Sequence, residues 1–132
     1  MPRRATFRVE EGDFDLGSTH RVVMSAGGLR FAGEIDLRCP YAPGYRVGCD
    51  ITYAKVDPRL QGQGLGTLLY QAAAKASCKL GRGPLRSDTQ RSKMAEGFWA
   101  KQHRKGRAIK EGDRYALTCP APRSLARYRS RK

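Results

Sequence analysis

The chain has 132 residues, of which 39% are hydrophobic, and its 26 Lys and Arg against 12 Asp and Glu give a formal net charge of +14. We predict a single domain over residues 1–120, followed by a basic C-terminal tail over residues 121–132. No run approaches the roughly 20 apolar residues that cross a bilayer, and no apolar stretch follows the basic start. These features exclude a transmembrane protein and predict an intracellular, cytoplasmic location.

The positive charge increases toward the C-terminus. Residues 1–50 hold 7 basic and 7 acidic side chains, whereas residues 101–132 hold 11 and 2. A field of this sign favours an acidic partner such as DNA, RNA or an acidic protein face. The tail, with Tyr128 among arginines, has groups that hold phosphates and stack on a base, but its composition equally describes a solvated, disordered end. Nucleic acid is therefore a predicted partner, and a membrane is not.

Four cysteines, Cys39, Cys49, Cys78 and Cys119, are widely separated, with no C-x-x-C pair and no histidine at metal-ligand spacing. This argues against a structural zinc site, and no metal is predicted. Because reducing compartments keep thiols reduced, we expect four free thiols that pack as small apolar groups and carry no chemistry.

Four strands are predicted before any helix. Gly27 and Gly28 separate the second from the third, and two glycines supply the positive backbone dihedrals of a tight hairpin turn. Residues 10–19 are polar and predict a loop or one short helical turn. The four strands are predicted over residues 5–9, 19–25, 29–39 and 46–56.

The apolar period then changes from two to 3.6, which predicts a helix from Leu65 to Leu80 that ends before Gly81, Gly83 and Pro84. A second helix is predicted from Ser92, whose hydroxyl is suited to cap free amides, to about Lys105. The remaining strands are predicted over residues 84–88, 107–109 and 114–119.

A glycine-rich segment, VDPRLQGQGLGTLL, joins the fourth strand to the first helix. Gln61, Gly64 and Gly66 match the pattern Q/R-x-x-G-x-G/A. Glycines remove the Cβ atoms that would block a ligand, and the amides at a helix start point outward, which suits a diphosphate. The spacing fits neither a nucleoside-triphosphate loop nor G-x-G-x-x-G. The alternative to a phosphate cradle is a flexible turn with several glycines.

Context on both sides of this loop resembles the GCN5-related N-acetyltransferase (GNAT) superfamily over roughly residues 52–108. Members of that family have V-x-P and then Q/R-x-x-G-x-G/A between the fourth strand and a long helix, and Val56 and Pro58 fit this pattern together with the loop. They continue with a helix of the type N-x-x-A-x-x-F-Y that ends in a glycine. The corresponding positions here are Ser92, Ala95, Phe98, Trp99 and Gly106.

The resemblance implies an α+β fold, that is, a three-layer α/β arrangement. It implies a mixed, largely antiparallel sheet of about six or seven strands, splayed in a V between the fourth and fifth strands, with two main helices. The two helices that the family usually has between its first two strands are compressed here into residues 11–18.

The resemblance also implies acetyl-CoA as the cofactor, with its pyrophosphate on the glycine loop and its thioester carbonyl on a backbone amide near residues 53–56. An amine then attacks the thioester directly, helped by a base and by a donor for the developing negative charge. The implied cofactor-binding residues are Val56, Gln61, Gly62, Gln63, Gly64, Leu65, Gly66 and Thr67.

The predicted catalytic residues are Asp50, Tyr53, Ser92 and Trp99. Trp99 stands where the family often has a tyrosine that protonates the departing thiolate. Because an indole N–H is not a usable acid, three alternatives remain: the thiolate leaves unassisted and takes its proton from water, another group such as Ser92 or a tyrosine donates it, or the protein does not carry out ordinary acetyl transfer. The ordinary interpretation of Trp99, beside Phe98 on a helix, is a core residue.

Asp50 is the first candidate for the base, because the family's bases are often carboxylates on the fourth strand. The alternative is a solvated strand residue. Regular alternation would place Asp50, Thr52 and Ala54 on one face of this strand and Ile51, Tyr53 and Lys55 on the other. Glu34 and Asp36 on the preceding strand are weaker alternatives. His103 is suited to proton transfer, but its ordinary interpretation is a surface residue, and that of Asp88 is a cap or turn residue. His20 is interpreted as a strand-edge residue with no assigned role.

The predicted function is therefore that of an intracellular acyltransferase that moves an acetyl group from acetyl-CoA to an amine. The charge favours an acceptor that is nucleic acid or is associated with it. Two alternatives remain: a DNA-base-modifying GNAT relative of the phage Mom kind, and a nucleic-acid-binding protein that keeps the sheet but has lost catalysis.

Overall fold

The computed structural model describes residues 4–40, 48–80, 83–88 and 91–119. This part of the chain forms one seven-stranded sheet and two α-helices. The strand order in the sheet is β1-β2-β3-β4-β5-β7-β6. The predicted α+β fold with a mixed, largely antiparallel sheet is confirmed. The elements are β1 (Ala5–Glu11), β2 (His20–Ala26), β3 (Leu29–Arg38), β4 (Cys49–Val56), α1 (Leu65–Leu80), β5 (Leu85–Arg86), α2 (Lys93–Arg104), β6 (Ala108–Glu111) and β7 (Arg114–Leu117).

Strands β4 and β5 form the parallel pair of the sheet, and they separate almost at once. They pair at Cys49 with Leu85 and at Asp50 with Arg86. Strand β4 then continues to Val56 beside β3, while β5 ends at Arg86. The V-shaped gap expected between the fourth and fifth strands therefore opens directly beyond Asp50.

Strand β4 contains a β-bulge that the alternating sequence did not reveal. Leu37 of β3 pairs with Ile51, but Asp36 pairs with Tyr53, which leaves Thr52 as an extra residue. The Thr52 hydroxyl donates to the Asp36 carbonyl oxygen over 3.2 Å. Because one extra residue reverses the alternation, the predicted faces of this strand are wrong beyond it.

The bulge changes which face of the sheet each β4 side chain beyond Thr52 lies on. Ala54 pairs with the core residue Ile35 and therefore shares the inner face with Ile51. Asp50, Tyr53 and Lys55 lie on the opposite face. The two β4 residues predicted to be catalytic, Asp50 and Tyr53, thus share one side of the sheet.

Both helices pack on the same side of the sheet. Leu69 of α1 and Trp99 of α2 are 1% exposed and belong to one apolar cluster with residues of six strands. Between β1 and β2 the chain forms only the three-residue 3-10 turn Asp15–Gly17, as expected from the reduced N-terminal region. Neither described helix has the length and apolar character needed to cross a bilayer.

Local turn and cap chemistry follows the sequence. Gly27 and Gly28 have φ values of +56° and +79° in the β2–β3 hairpin, which is the conformation that glycine adopts without strain. Helix α1 spans the predicted residues, and Ser92 caps α2 by accepting a hydrogen bond from the Ala95 amide over 3.1 Å.

The prediction of four free thiols is wrong. Cys39 and Cys49 form a disulfide across the ends of β3 and β4, with their Cα atoms 4.3 Å apart. Cys78, in the last turn of α1, is bonded to Cys119, which follows β7. Antiparallel neighbours and a helix packed beside the end of a strand bring these distant cysteines together. The predicted tail, residues 121–132, lies outside the described residues, and the domain boundary stays a prediction.

Candidate active site

A cavity of about 530 Å³ lies between the end of β4, the glycine loop, the start of α1 and the start of α2. Of the predicted cofactor-binding residues, Gln63 and Leu65 do not line it, and Leu65 is 1% exposed in the core. The glycine loop predicted from the sequence therefore forms one wall of this cavity. The predicted residues that line it are Val56, Gln61, Gly62, Gly64, Gly66 and Thr67.

The glycine loop is fixed at its start and open above its glycines. The Gln61 side-chain amide donates to the Val56 carbonyl oxygen over 3.3 Å, which ties the loop to the end of β4. Gly62 and Gly64 have φ values of +80° and +78°, and a Cβ atom at either would meet nothing within 4 Å. Glycine supplies the left-handed conformation here, and the space beside the backbone is free for a ligand.

The backbone amides of residues 62–67 make no hydrogen bond within the described part of the chain. The first regular bond of α1 is donated by the Leu68 amide to the Gly64 carbonyl oxygen over 3.4 Å. Free amides at the positive end of a 16-residue helix attract an anion. Their donors and the open glycines fit a diphosphate group.

An aromatic wall faces this loop across the cavity. Tyr70 of α1 and Phe98 of α2 line the cavity, and their rings stack with centroids 4.5 Å apart. Burial raises the pKa of the Tyr70 hydroxyl, which therefore stays protonated at neutral pH. The sequence analysis missed Tyr70 because it lies outside the apolar stripe of α1 and belongs to no motif.

Trp99, predicted as catalytic, lies in the core and does not line the cavity. Its ring stacks on Tyr115 and meets the edges of Tyr70 and Phe98. The cavity therefore has Phe98 and Tyr70 where the sequence analysis considered the indole.

The start of α2 forms the remaining wall. Ser92 and Lys93 line the cavity. The junction is held by Arg91, whose guanidinium donates to the Glu96 carboxylate and to the carbonyl oxygens of Asp88 and Asp113. Because of this contact with Arg91, the pKa of Glu96 is lowered. A rigid junction fixes the position of the Ser92 hydroxyl beside the cavity.

A second cavity of about 330 Å³ adjoins the first, since Thr67 and Phe98 line both. Its lining includes Lys101, Lys105 and Arg107. Three cations beside the free amides make this end of the site attractive to further phosphate groups.

The other face of the sheet carries charged side chains. Arg21 donates to the buried Asp36 carboxylate over 2.8 Å and lies 2.8 Å from Glu34. Burial and the adjacent Asp36 carboxylate raise the pKa of Glu34, although Arg21 opposes them. The structure therefore increases the proton affinity of Glu34. Tyr53 is 46% exposed on this face.

Asp50 lies on the same face and is surrounded by arginines. Its carboxylate accepts a hydrogen bond from Arg38 over 3.3 Å and lies 3.6 Å from the nearest Arg114 nitrogen and 3.9 Å from that of Arg86. Three guanidinium groups therefore engage this carboxylate. Asp50 is thus not the solvated strand residue of the alternative interpretation.

The other predicted candidates lie outside the cavity lining. The His20 ring is hydrogen-bonded to the Thr19 hydroxyl at the start of β2. His103 is exposed on α2, against the edge of Tyr115. Asp88 is half-buried beside β5. In the described residues, no three His, Cys, Asp or Glu are placed to hold a metal ion.

Comparison with solved structures places this arrangement in a known fold. An acetyltransferase from Bacillus subtilis in complex with CoA is 17% identical, covers 87% of this chain and 100% of its own, and has a TM-score of 0.58. An IAA acetyltransferase from Bacillus cereus is 20% identical, covers 76% of this chain and 77% of its own, and has a TM-score of 0.54. No protein-family model and no curated protein sequence matches the chain.

These likenesses define the class of fold. The chain has the GNAT fold, as the glycine loop and the second helix led us to expect.

Proposed function

We propose that the protein is an N-acetyltransferase that uses acetyl-CoA. The observation that carries this proposal is the row of unbonded amides at residues 62–67, which opens onto the larger cavity. The likeness to a structure crystallised with CoA supports it.

Acetyl-CoA, when bound, supplies an acetyl group activated as a thioester. The chain's own part is to hold the diphosphate on the loop amides, with Lys101, Lys105 and Arg107 near enough to bind the remaining phosphate. Beyond Asp50, β4 has no β5 residue beside it, and residues 53–56 are the proposed contact for the thioester carbonyl. Ala54 and Val56 give the cavity an apolar floor beside that segment.

Calorimetric titration of the protein with acetyl-CoA tests the proposal, and a mass-shift screen of candidate amines with acetyl-CoA then identifies the acceptor. We expect saturable binding at one site per chain. A protein that gives no heat with acetyl-CoA, yet is retained on DNA in a manner that falls steeply with salt, is a nucleic-acid-binding protein and not an acetyltransferase.

Tyr70 is the proposed donor to the departing thiolate, and Tyr70→Phe tests this role. The hydroxyl is protonated and its ring lines the cavity, so its removal should lower kcat about 100-fold with little change in acetyl-CoA affinity. The measurement is the rate of CoA thiol release with the amine found in the screen. Tyr115→Phe is the control, because it removes a hydroxyl bonded to Glu96 outside the cavity. Equal rates in the two variants would assign the proton to Ser92 or to water.

Glu34 is the proposed base in preference to Asp50. A base acts in its deprotonated form, so a raised pKa places the rise of kcat/KM with pH above the ordinary range of a glutamate. Glu34→Gln should remove this acid limb of the profile. Asp50→Asn should retain it, because the Asp50 side chain is engaged by three arginines and is not the proposed base. An acid limb that persists in Glu34→Gln and vanishes in Asp50→Asn would reverse the assignment.

A nucleic-acid acceptor remains a proposal supported by the net charge of +14. The phage Mom-like and non-catalytic alternatives also remain predictions. DNA and RNA oligonucleotides therefore belong in the mass-shift screen beside small amines.

A further inference from the structure

Four strands bring three arginines to one carboxylate on the sheet face opposite the helices. Arg38 of β3 and Arg86 of β5 pair in register with Asp50 from either side. Arg114 of β7 lies on the same face, two residues before Ala116, which pairs with Arg86. The four residues are distant in sequence, and only the sheet assembles them.

This arginine cluster (Arg38, Arg86 and Arg114) has more positive charge than its centre neutralises. Arg38 and Arg114 against the one Asp50 carboxylate leave a local charge of +1 even when Arg86 is not counted. In the described part of the chain, the side chains of Arg38 and Arg114 make no other hydrogen bond or ion pair. Each guanidinium has five N–H donors, so most of theirs face solvent.

The Asp50 carboxylate is less exposed than the guanidinium groups that contact it. Its side chain is 18% exposed, whereas those of Arg38 and Arg114 are 47% and 39% exposed. Oδ1 of Asp50 is buried and has no hydrogen-bond partner, although two guanidinium nitrogens lie within 3.9 Å of it. The guanidinium groups around this carboxylate keep N–H donors for a second anion, since guanidinium forks match carboxylate and phosphate geometry.

The cluster lies where the gap between β4 and β5 begins. Asp50 and Arg86 form the last pair of these strands. Tyr53, at the start of the proposed thioester contact, is three residues further along β4, or roughly 7 Å, because the bulge makes three steps of β4 span only two steps of β3. The cofactor cavity lies on the helix side, so an amine that reaches the thioester from the other side passes the cluster.

We propose that the arginine cluster binds an anionic group, a carboxylate or a phosphate, of a small amine acceptor. This inference rests on the proposed acetyltransferase function. The acceptor must carry its amine and its anionic group several bonds apart, because the arginine cluster and the proposed thioester contact lie at different positions along β4.

Three probes of matched length test the site: 6-aminohexanoate, 6-aminohexyl phosphate and the uncharged 6-amino-1-hexanol. Ligand-observed NMR without acetyl-CoA measures their binding, so failure of the cluster is distinguishable from failure of cofactor binding, which calorimetry reports separately. We expect at least tenfold tighter binding of one or both anionic probes than of the alcohol. If 6-aminohexanoate binds more tightly, the ligand group is a carboxylate. If 6-aminohexyl phosphate binds more tightly, it is a phosphate.

The double variant Arg38→Gln/Arg114→Gln should lose this preference while its acetyl-CoA affinity is unchanged. Arg30→Gln removes an exposed charge at the far end of β3 and should keep the preference, which controls for the general field of the protein. Equal binding of the three probes to the wild type, or a preference that survives in the double variant, overturns the proposal. Displacement of the probes by single-stranded DNA with the same arginine dependence also overturns it, in favour of a nucleic-acid backbone.

Discussion

Replacing Gly66 by leucine is expected to abolish acetyl-CoA binding in a protein that still folds. Gly66 is the second residue of α1 and lines the larger cavity. It does not have a positive φ, and a Cβ atom there would meet only Val56 Cγ2, at 3.9 Å. The leucine side chain therefore enters the space proposed for the diphosphate without straining the backbone. At Gly62 or Gly64 a substitution would combine occlusion with the strain of a left-handed conformation.

Calorimetry should show at least a 100-fold loss of acetyl-CoA affinity in Gly66→Leu, with an unchanged circular dichroism spectrum. Gly66→Ala adds one methyl group in ordinary contact and should retain measurable binding. Lys75→Leu places the same leucine on the exposed side of α1 and should bind like the wild type. An affinity of Gly66→Leu within threefold of the wild type would mean that the cofactor does not lie on this loop.

Loss of the Cys78–Cys119 disulfide is expected to lower the free energy of unfolding by about 4 kcal/mol. The bond joins positions 41 residues apart, and closing so long a loop removes much conformational entropy from the unfolded chain. The Cys39–Cys49 bond spans 10 residues and should contribute less, about 3 kcal/mol by the same relation.

Urea denaturation of Cys78→Ser/Cys119→Ser, compared with Cys39→Ser/Cys49→Ser, measures the two contributions separately. Dithiothreitol should reduce the stability of the wild type by more than that of either double variant. If dithiothreitol leaves the wild-type midpoint unchanged, the thiols are free in solution, as the sequence alone had predicted.

The fold could be predicted from local signals that do not depend on distant partners. Two glycines defined the β2–β3 turn, the change of period defined α1, and Ser92 marked the start of α2. The glycine loop was predicted for a similar reason, because its function resides in consecutive backbone amides.

The features that sequence reasoning missed depend on which strands are neighbours. The cysteine pairs and the arginine cluster join residues of separate elements, and no spacing along the chain identifies them. Tyr70 lies outside the apolar stripe that predicted α1, and its place in the cavity depends on how α1 packs against α2. The bulge at Thr52 was hidden by a sequence that alternates regularly through it.

Thr52 also determines which β4 side chains reach the cavity. If Thr52 paired regularly with Asp36, Tyr53 and Lys55 would turn toward α1, while Ala54 and Val56 turned away. The floor of the cavity would then change places with the outer face of the strand, even though no residue had been substituted. Deletion of Thr52 would instead leave the neighbouring β4 residues in their present pairs with β3, so it would remove the bulge and keep both faces.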